Sequence, residues 1–269
     1  MRRLALLAGF MFATSTCALT SAAYAQAPRA YQAVPVTFDH SAAGDPDLTA
    51  LIVTLKESVG NSDLDPLFKA LSANVAVITC PVDPLVPCAP GKRGIRQAPA
   101  NLSPTERIRQ GLCCTGMAKN EITEDLRKET VTGLIAAALE AESIGAHPDV
   151  PGLACLPAWP IFDRAKAEAA VRATRIDKEN LRVTTEELVL RAKPAADAPE
   201  AARLPAGQIA PFMTDLDQPP PDGWYAIALP QGGIGYSDQV GLNELTPSGL
   251  CFAKETSGWK IALFVMRDQ

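Results

Sequence analysis

Histidine is nearly missing from this chain, with His40 and His147 the only two among 269 residues. That scarcity removes much of hydrolytic chemistry. A cysteine or serine peptidase holds an imidazole base against its nucleophile. Here His40 sits in an Ala/Pro/Gln-rich stretch and His147 in an Asp/Pro turn, so both read as surface residues. Zinc hydrolases and zinc modules are disfavoured too, since neither H-E-x-x-H nor C-x-x-C occurs. There is no Walker loop and no Rossmann fingerprint. The Gly-rich run Gly232-Gly233-Ile234-Gly235 leads into a strand, so it lacks the amide nest that holds phosphate at a helix N-terminus and reads as a β-turn. A block of Lys and Arg is also lacking, which argues against nucleic acid as a partner and against a polybasic membrane contact. No metal-ligand set and no cofactor motif is present, and none is expected to be used. A glycosidase, which needs only two carboxylates, is the enzyme class left open. Its helix-borne candidates are Glu121, Glu124, Asp125, Glu140 and Glu142, although acids on helix surfaces are usually just solvated.

What is present begins with Met1-Arg2-Arg3, an apolar run from Leu4 to about Ala13, and the small-x-small sequence Ala23-Tyr24-Ala25. This is the pattern of a secretory signal peptide over residues 1–25, cut before Gln26. Spanning a bilayer takes roughly 20 apolar residues. The run is shorter than that and no second one follows, so no membrane span is expected after cleavage. Cys17 lacks the preceding Leu of a lipobox and belongs to the leader. Without the leader, 23 basic and 30 acidic residues leave a net charge near −7. The expected location is the periplasm or the medium.

Six cysteines then remain: Cys80, Cys88, Cys113, Cys114, Cys155 and Cys251. An even number in an oxidising compartment predicts disulfides, and six allow fifteen pairings. Cys80 and Cys88 flank the loop CPVDPLVPC and form the most plausible local bridge. The adjacent Cys113 and Cys114 rarely bond to each other. A working guess sends one of them to Cys155 and the other to Cys251.

Local signals divide the chain into two textures. Residues 26–44 read as extended or loose. Asp45-Pro46 is an N-cap with Pro at N1, followed by Leu48, Leu51, Ile52 and Leu55 at helical spacing. A second helix starts at Asp65-Pro66, and Asn74–Thr79 reads as a buried strand. Residues 80–102 are a loop, and Ser103-Pro104-Thr105-Glu106 is a capping box. The longest helical pattern runs from Thr123 to Ile144 and is expected to end at Gly145. Its apolar face is Leu126, Val131, Leu134, Ile135, Ala138 and Leu139. Pro151–Phe162, with Trp159, drapes over the core or forms a shallow groove, and Asp163 caps a further short helix.

From about residue 180 the pattern changes to short strands separated by turns: Leu181–Thr185, Leu188–Arg191, Gln208–Phe212, Trp224–Leu229 and Gly235–Ser237. Spacing of this kind predicts a small barrel or sandwich. Two closing strands, Leu250–Glu255 and Trp259–Met266, form a hairpin. In the last of these Trp259, Ile261, Leu263 and Val265 are expected on one face. Ala262 and Phe264 are apolar as well, which predicts a central strand buried on both sides.

Four pieces in order carry a family resemblance: Leu188-Val189-Leu190-Arg191-Ala192-Lys193-Pro194, then Leu204-Pro205-Ala206-Gly207, then Gly223-Trp224-Tyr225-Ala226-Ile227, then Gly233-Ile234-Gly235-Tyr236. Together they resemble the bacterial SH3-like domain. The chain departs from that pattern at Ser237, where Val is usual, and in its enlarged acidic, Pro-rich loop at 215–222. The chain is also similar to exported bacterial proteins in which such a module precedes a closing Gly-Trp-Lys-Ile hairpin, a group without an assigned function. The paired helices at the start and that hairpin further resemble cone-shaped nuclear-transport-factor-2-like folds.

The resemblance implies an α+β protein in which an SH3-like β-barrel (179–246) is inserted into an N-terminal α+β domain (26–178). A C-terminal hairpin (247–269) returns to that domain. It also implies a recognition surface of exposed aromatics at Tyr236, Trp224, Tyr225 and Phe212. The function expected from this is non-catalytic, the module binding peptidoglycan or a peptide in the envelope. A second reading is an accessory subunit that docks another exported protein through its α+β domain, with an apolar patch around Trp159. A cell-wall glycosidase ranks third.

Overall fold

The computed structural model describes residues 27–113, 121–238 and 241–268, and the leader expected at 1–25 lies outside them. The protein is mixed α+β, with four separate sheets. Among the described residues no helix is long and apolar enough to cross a membrane.

The N-terminal half is built by helices whose starts are written into the sequence. A strand β1 (Val36–Thr37) precedes α1 (Pro46–Gly60), whose cap Asp45 accepts from the amides of Asp47 and Leu48 at 3.0 and 3.2 Å. Leu48, Ile52, Leu55 and Val59 form its buried stripe. Helix α2 (Asp65–Lys69) leads straight into β2 (Leu71–Cys80), then β3 (Arg96–Gln97). Helix α3 (Pro104–Gly111) begins with the reciprocal Ser103–Glu106 box. Helix α4 (Glu124–Glu140) buries Val131, Ile135 and Leu139 but stops short of the expected Gly145. Its cap Ala141 is already extended, with ψ at 138°, and the chain continues into β4 (Gly145–Ala146). Gly145 is used for close approach instead, because a Cβ there would lie 2.8 Å from the Ala158 Cβ and 2.9 Å from the Asp39 carbonyl. β5 (Leu153–Leu156), β6 (Ile161–Phe162) and the Asp163-capped α5 (Arg164–Thr174) follow.

The second half contributes β7 (Leu181–Thr184), β8 (Leu188–Arg191), β9 (Glu200–Leu204), β10 (Ile209–Pro211), β11 (Tyr225–Ala228), β12 (Ile234–Ser237) and β13 (Leu242–Glu244). The chain then returns as β14 (Gly249–Glu255) and β15 (Gly258–Arg267). These two strands lie inside the main sheet, whose order is β3-β2-β15-β14-β5-β4. β15 runs parallel to β2 and antiparallel to β14. The sheet is covered on both faces. Side chains of α1 to α4 pack against Val75, Val77, Phe252, Ile261 and Phe264 on one side. Ile78, Cys80, Cys88, Trp159, Leu263 and Val265 pack together on the other. The single face expected for Trp259, Ile261, Leu263 and Val265 is therefore split. A bulge leaves Ala262 as one extra residue of β15 between the pairs Phe252–Ile261 and Cys251–Leu263 with β14, and one extra residue exchanges the two faces of a strand.

The module is not a closed barrel. Its strands form a four-stranded sheet, β11-β12-β8-β9, and a three-stranded one, β10-β7-β13. One isolated bridge, Phe212 to Ile227, joins them at one seam. The β10 ladder ends at Pro211, which has no N–H to donate. β9 and β13 remain as edges. β9 carries Arg203, which is paired with Glu187 and Glu200, the kind of charge that discourages edge-to-edge pairing. Leu188, Leu190, Leu204, Ala210 and Ile227 fill the space between the two sheets.

The expected loose segment 26–44 is pinned. The Gly233 amide donates to the Pro28 carbonyl at 3.0 Å and the Tyr31 amide to the Pro230 carbonyl at 2.9 Å. Val36 donates to Gly207 at 2.8 Å, and Val34 accepts from Ile209 at 2.9 Å. Val34 and Val36 are buried with Ala167, Leu181 and Val183. This strap runs between the module and α5. It needs glycine at the turn it crosses: Gly232 and Gly233 have φ of +94° and +82°, and a Cβ on Gly232 would sit 3.2 Å from the Ala30 amide.

Cysteine pairing corrects the working guess. Cys80 bonds Cys88, and Cys155 bonds Cys251, its direct cross-strand partner. Neither Cys155 nor Cys251 is therefore open to Cys113 or Cys114. Cys113 is itself disulfide-bonded, and Cys114 lies outside the described residues.

Candidate functional site

The four aromatics expected to form one recognition surface do not share a face. Tyr225 pairs with Ser237 and Tyr236 with Ala226 in an unbroken β11–β12 ladder, so Tyr225 and Tyr236 point to opposite sides of the sheet. Phe212 and Tyr225 do meet, with ring centroids 5.9 Å apart and planes at 50°. Trp224 is half-buried at the start of β11, and Tyr236 is half-buried across from Arg191. The enzyme candidates disperse as well. Glu121, Glu124 and Asp125 lie at the start of α4 and Glu140 and Glu142 at its end, all exposed. A helix of 17 residues separates those groups by about 25 Å, too far for one glycosidic bond. Among the described residues no cluster of three or more His, Cys, Asp or Glu could hold a metal ion.

His147 is not on the surface, as its turn suggested, but 3% exposed. Its ring stacks on Trp159 with centroids 4.2 Å apart, and Nδ1 accepts from the Asp149 amide at 3.1 Å. Burial pulls its pKa down to about 4, so the ring is neutral near pH 7. Trp159 is likewise 3% exposed, so it belongs to the core and not to an exposed patch. Asp149 accepts from the Cys88 amide at 3.0 Å and from Arg164 at 2.7 Å, tying the disulfide loop to the start of α5.

The best-formed concavity lies elsewhere, where the N-terminal strap meets the module. β1 pairs with β6, and the strap is drawn against Gly207, whose φ is +72°. A Cβ there would sit 3.0 Å from the Val36 carbonyl, so glycine permits the approach. Between this junction and the β7–β13 ladder is a groove of about 760 Å³, within the size range of ligand sites. Its walls are largely apolar: Val36, Phe38, Pro157, Ala158, Pro160 and Pro247. Phe38 and Ile161, at the strap and β6, are each 37% exposed and are among the few large apolar side chains that face solvent. The polar lining is His40, Ser143, Thr184, Thr185, Asn243, Glu244 and Ser248. The His40 Nδ1 lies 2.7 Å from the Ile144 carbonyl, so it carries the proton and Nε2 is the acceptor of the neutral ring. Thr185 and Asn243 are both exposed. β13, which supplies Asn243, is an edge strand.

The shallow groove that the sequence offered at Pro151–Phe162 supplies Pro157, Ala158 and Pro160, but the rest of the lining comes from segments far apart in the chain and gave no such signal. A further signal was the alternation of Val34, Val36 and Phe38, the pattern of a half-buried strand. Compared with known proteins, the chain matches no family model, no curated protein and no solved structure.

Proposed function

We propose that this is an exported, non-catalytic binding protein of the bacterial envelope, whose groove takes an extended, largely apolar peptide segment of another envelope protein. The groove itself carries the reading: an apolar trough of about 760 Å³ with exposed Phe38 at its rim and the free edge of β13 along one wall. Grooves of aromatics and prolines suit extended peptides, and an edge strand offers main-chain hydrogen bonds. Two disulfides and the leader-like N-terminus support export to the periplasm or medium. The motifs from Leu188 to Tyr236 support counting the module as an opened relative of the SH3-like domain. The test is selection of displayed peptides on the exported protein, followed by titration against Phe38→Asp. Selected peptides should lose at least about tenfold in affinity, since charge in an apolar contact is costly. Unchanged affinity in a folded variant would move the site elsewhere.

A second reading rests on the tilted Phe212–Tyr225 pair, whose half-exposed rings could stack on wall glycan. Co-sedimentation with purified sacculi tests it.

A further inference from the structure

The groove does not end at Asn243. Glu244 and Ser248 line both it and a second cavity of about 410 Å³, with Arg182 and Arg267 in its wall. Arg182 stands directly across the β7–β13 ladder from Glu244. The Glu244 carboxylate, however, is paired with Arg267 at the end of β15. Arg182 Nη1 is left with the carbonyls of Glu179 and Leu181, and among the described residues it makes no ion pair. Arg267 Nε is buried without a partner. Asp268 is taken by Arg96 at 2.6 Å. Burial destabilises the charge on both arginines, and Arg182 further destabilises that on Arg267, with Glu179 offsetting part of this for each.

Two half-buried guanidiniums thus share one salt-bridged carboxylate. A partly desolvated charge without a counter-ion is costly, so an incoming anion is favoured there. Glu179 and Glu244 stand close by and penalise a multiply charged anion such as phosphate. A single carboxylate fits better, since the planar fork of arginine can hold it by two parallel hydrogen bonds. The two cavities adjoin at Glu244 and Ser248, around the edge strand β13, and that order gives a direction to the peptide.

Building on the peptide-groove reading, we propose that the ligand is the free carboxyl terminus of an exported protein, its last apolar residues in the groove and its terminal carboxylate on Arg182, with Arg267 as second donor. The probes are two fluorescein-labelled pools of hexapeptides with randomised Ala, Val, Leu and Pro, identical except that one ends in a free carboxyl and the other in a carboxamide. Each is titrated against the protein recovered from the periplasm, with fluorescence anisotropy as the readout. The acid pool should bind about tenfold more tightly, an advantage that weakens with added salt and disappears in Arg182→Gln. Arg182→Lys should restore only part of it, because an ammonium lacks the fork. Equal binding of both pools overturns the terminal-carboxylate proposal and leaves the groove reading standing. Binding of neither pool overturns both. An amide pool ending in Glu that matches the acid pool would also overturn the proposal, since a side chain would then serve. Should Arg182→Gln fail to fold by near-ultraviolet circular dichroism, the comparison of pools on the unaltered protein decides alone.

Discussion

Glu244 faces Arg182 across the β7–β13 ladder, yet its carboxylate pairs with Arg267 on β15, a strand of the main sheet. The pair therefore ties the edge of the module to the core. Glu244→Gln should lower stability by about 1 kcal/mol, the scale of a partly exposed pair, and more at low salt. Arg182→Gln added to it should cost less than the sum of the two changes, because the second removes a repulsion that the first exposes. Urea midpoints at unchanged slope measure both.

Acid should weaken the fold in two stages. His147 titrates near 4 when folded and near 6.5 when unfolded, so its contribution is complete above about pH 6.5 and is lost as pH falls toward 4. The unfolded chain binds the extra proton in that window, which gives a loss on the order of 3 kcal/mol. The contribution of Asp45, held near 2 chiefly by Lys254, is complete above the ordinary carboxylate value and is lost as pH falls from there toward 2. His147→Gln should flatten the first stage and leave the second. Chemical denaturation at pH 7.5, 4 and 2 separates them.

The Cys80–Cys88 and Cys155–Cys251 disulfides should differ in worth. Cys155 and Cys251 are 96 residues apart and Cys80 and Cys88 only 8. Loop-closure entropy grows with the logarithm of that separation, which favours the longer link by roughly 2 kcal/mol. Replacing Cys155 and Cys251 together by Ala should cost that much more than the same change at Cys80 and Cys88, as read from guanidinium unfolding.

Wall binding, if it resides on the module, should distinguish the two faces of β11–β12. Tyr225→Ala or Phe212→Ala should reduce pelleting with sacculi severalfold, since each removes one ring of a contacting pair. Tyr236→Ala should leave it unchanged, because that ring lies on the other face. Equal loss in all three folded variants would count against a site on one face of the sheet.

Legibility followed the range of the signal. Caps at Asp45, Ser103, Thr123 and Asp163 depend on the next three residues, and each marks the start of a helix. β8 was readable to its ends, and β15 as a central strand, because apolar alternation and run length are local. The end of α4 was misread because Gly145 signals a helix stop in isolation, whereas Ala158 and Asp39 make it a point of close packing. His147 was misplaced because the residues that bury it, notably Trp159, belong to another segment. β9 and β13 are short edges with little apolar content and gave no signal. The groove was hidden for the same reason on a larger scale, since Phe38, Pro157, Thr185 and Pro247 meet only after the sheets assemble. The aromatic quartet was misjudged in register: nearness in sequence placed Tyr225 and Tyr236 together, and the pleat set them apart.

The strap from Pro28 to Val36 has a consequence for the order in which the protein takes shape. Its carbonyls and amides are satisfied by Ala173 and the β6 strand and, later in the chain, by Gly207, Ile209, Pro230 and Gly233. The amino-terminal segment therefore has no complete docking site until some two hundred further residues have been added. Its docking is a late event, and in the interval the Val34-Val36-Phe38 stripe is exposed.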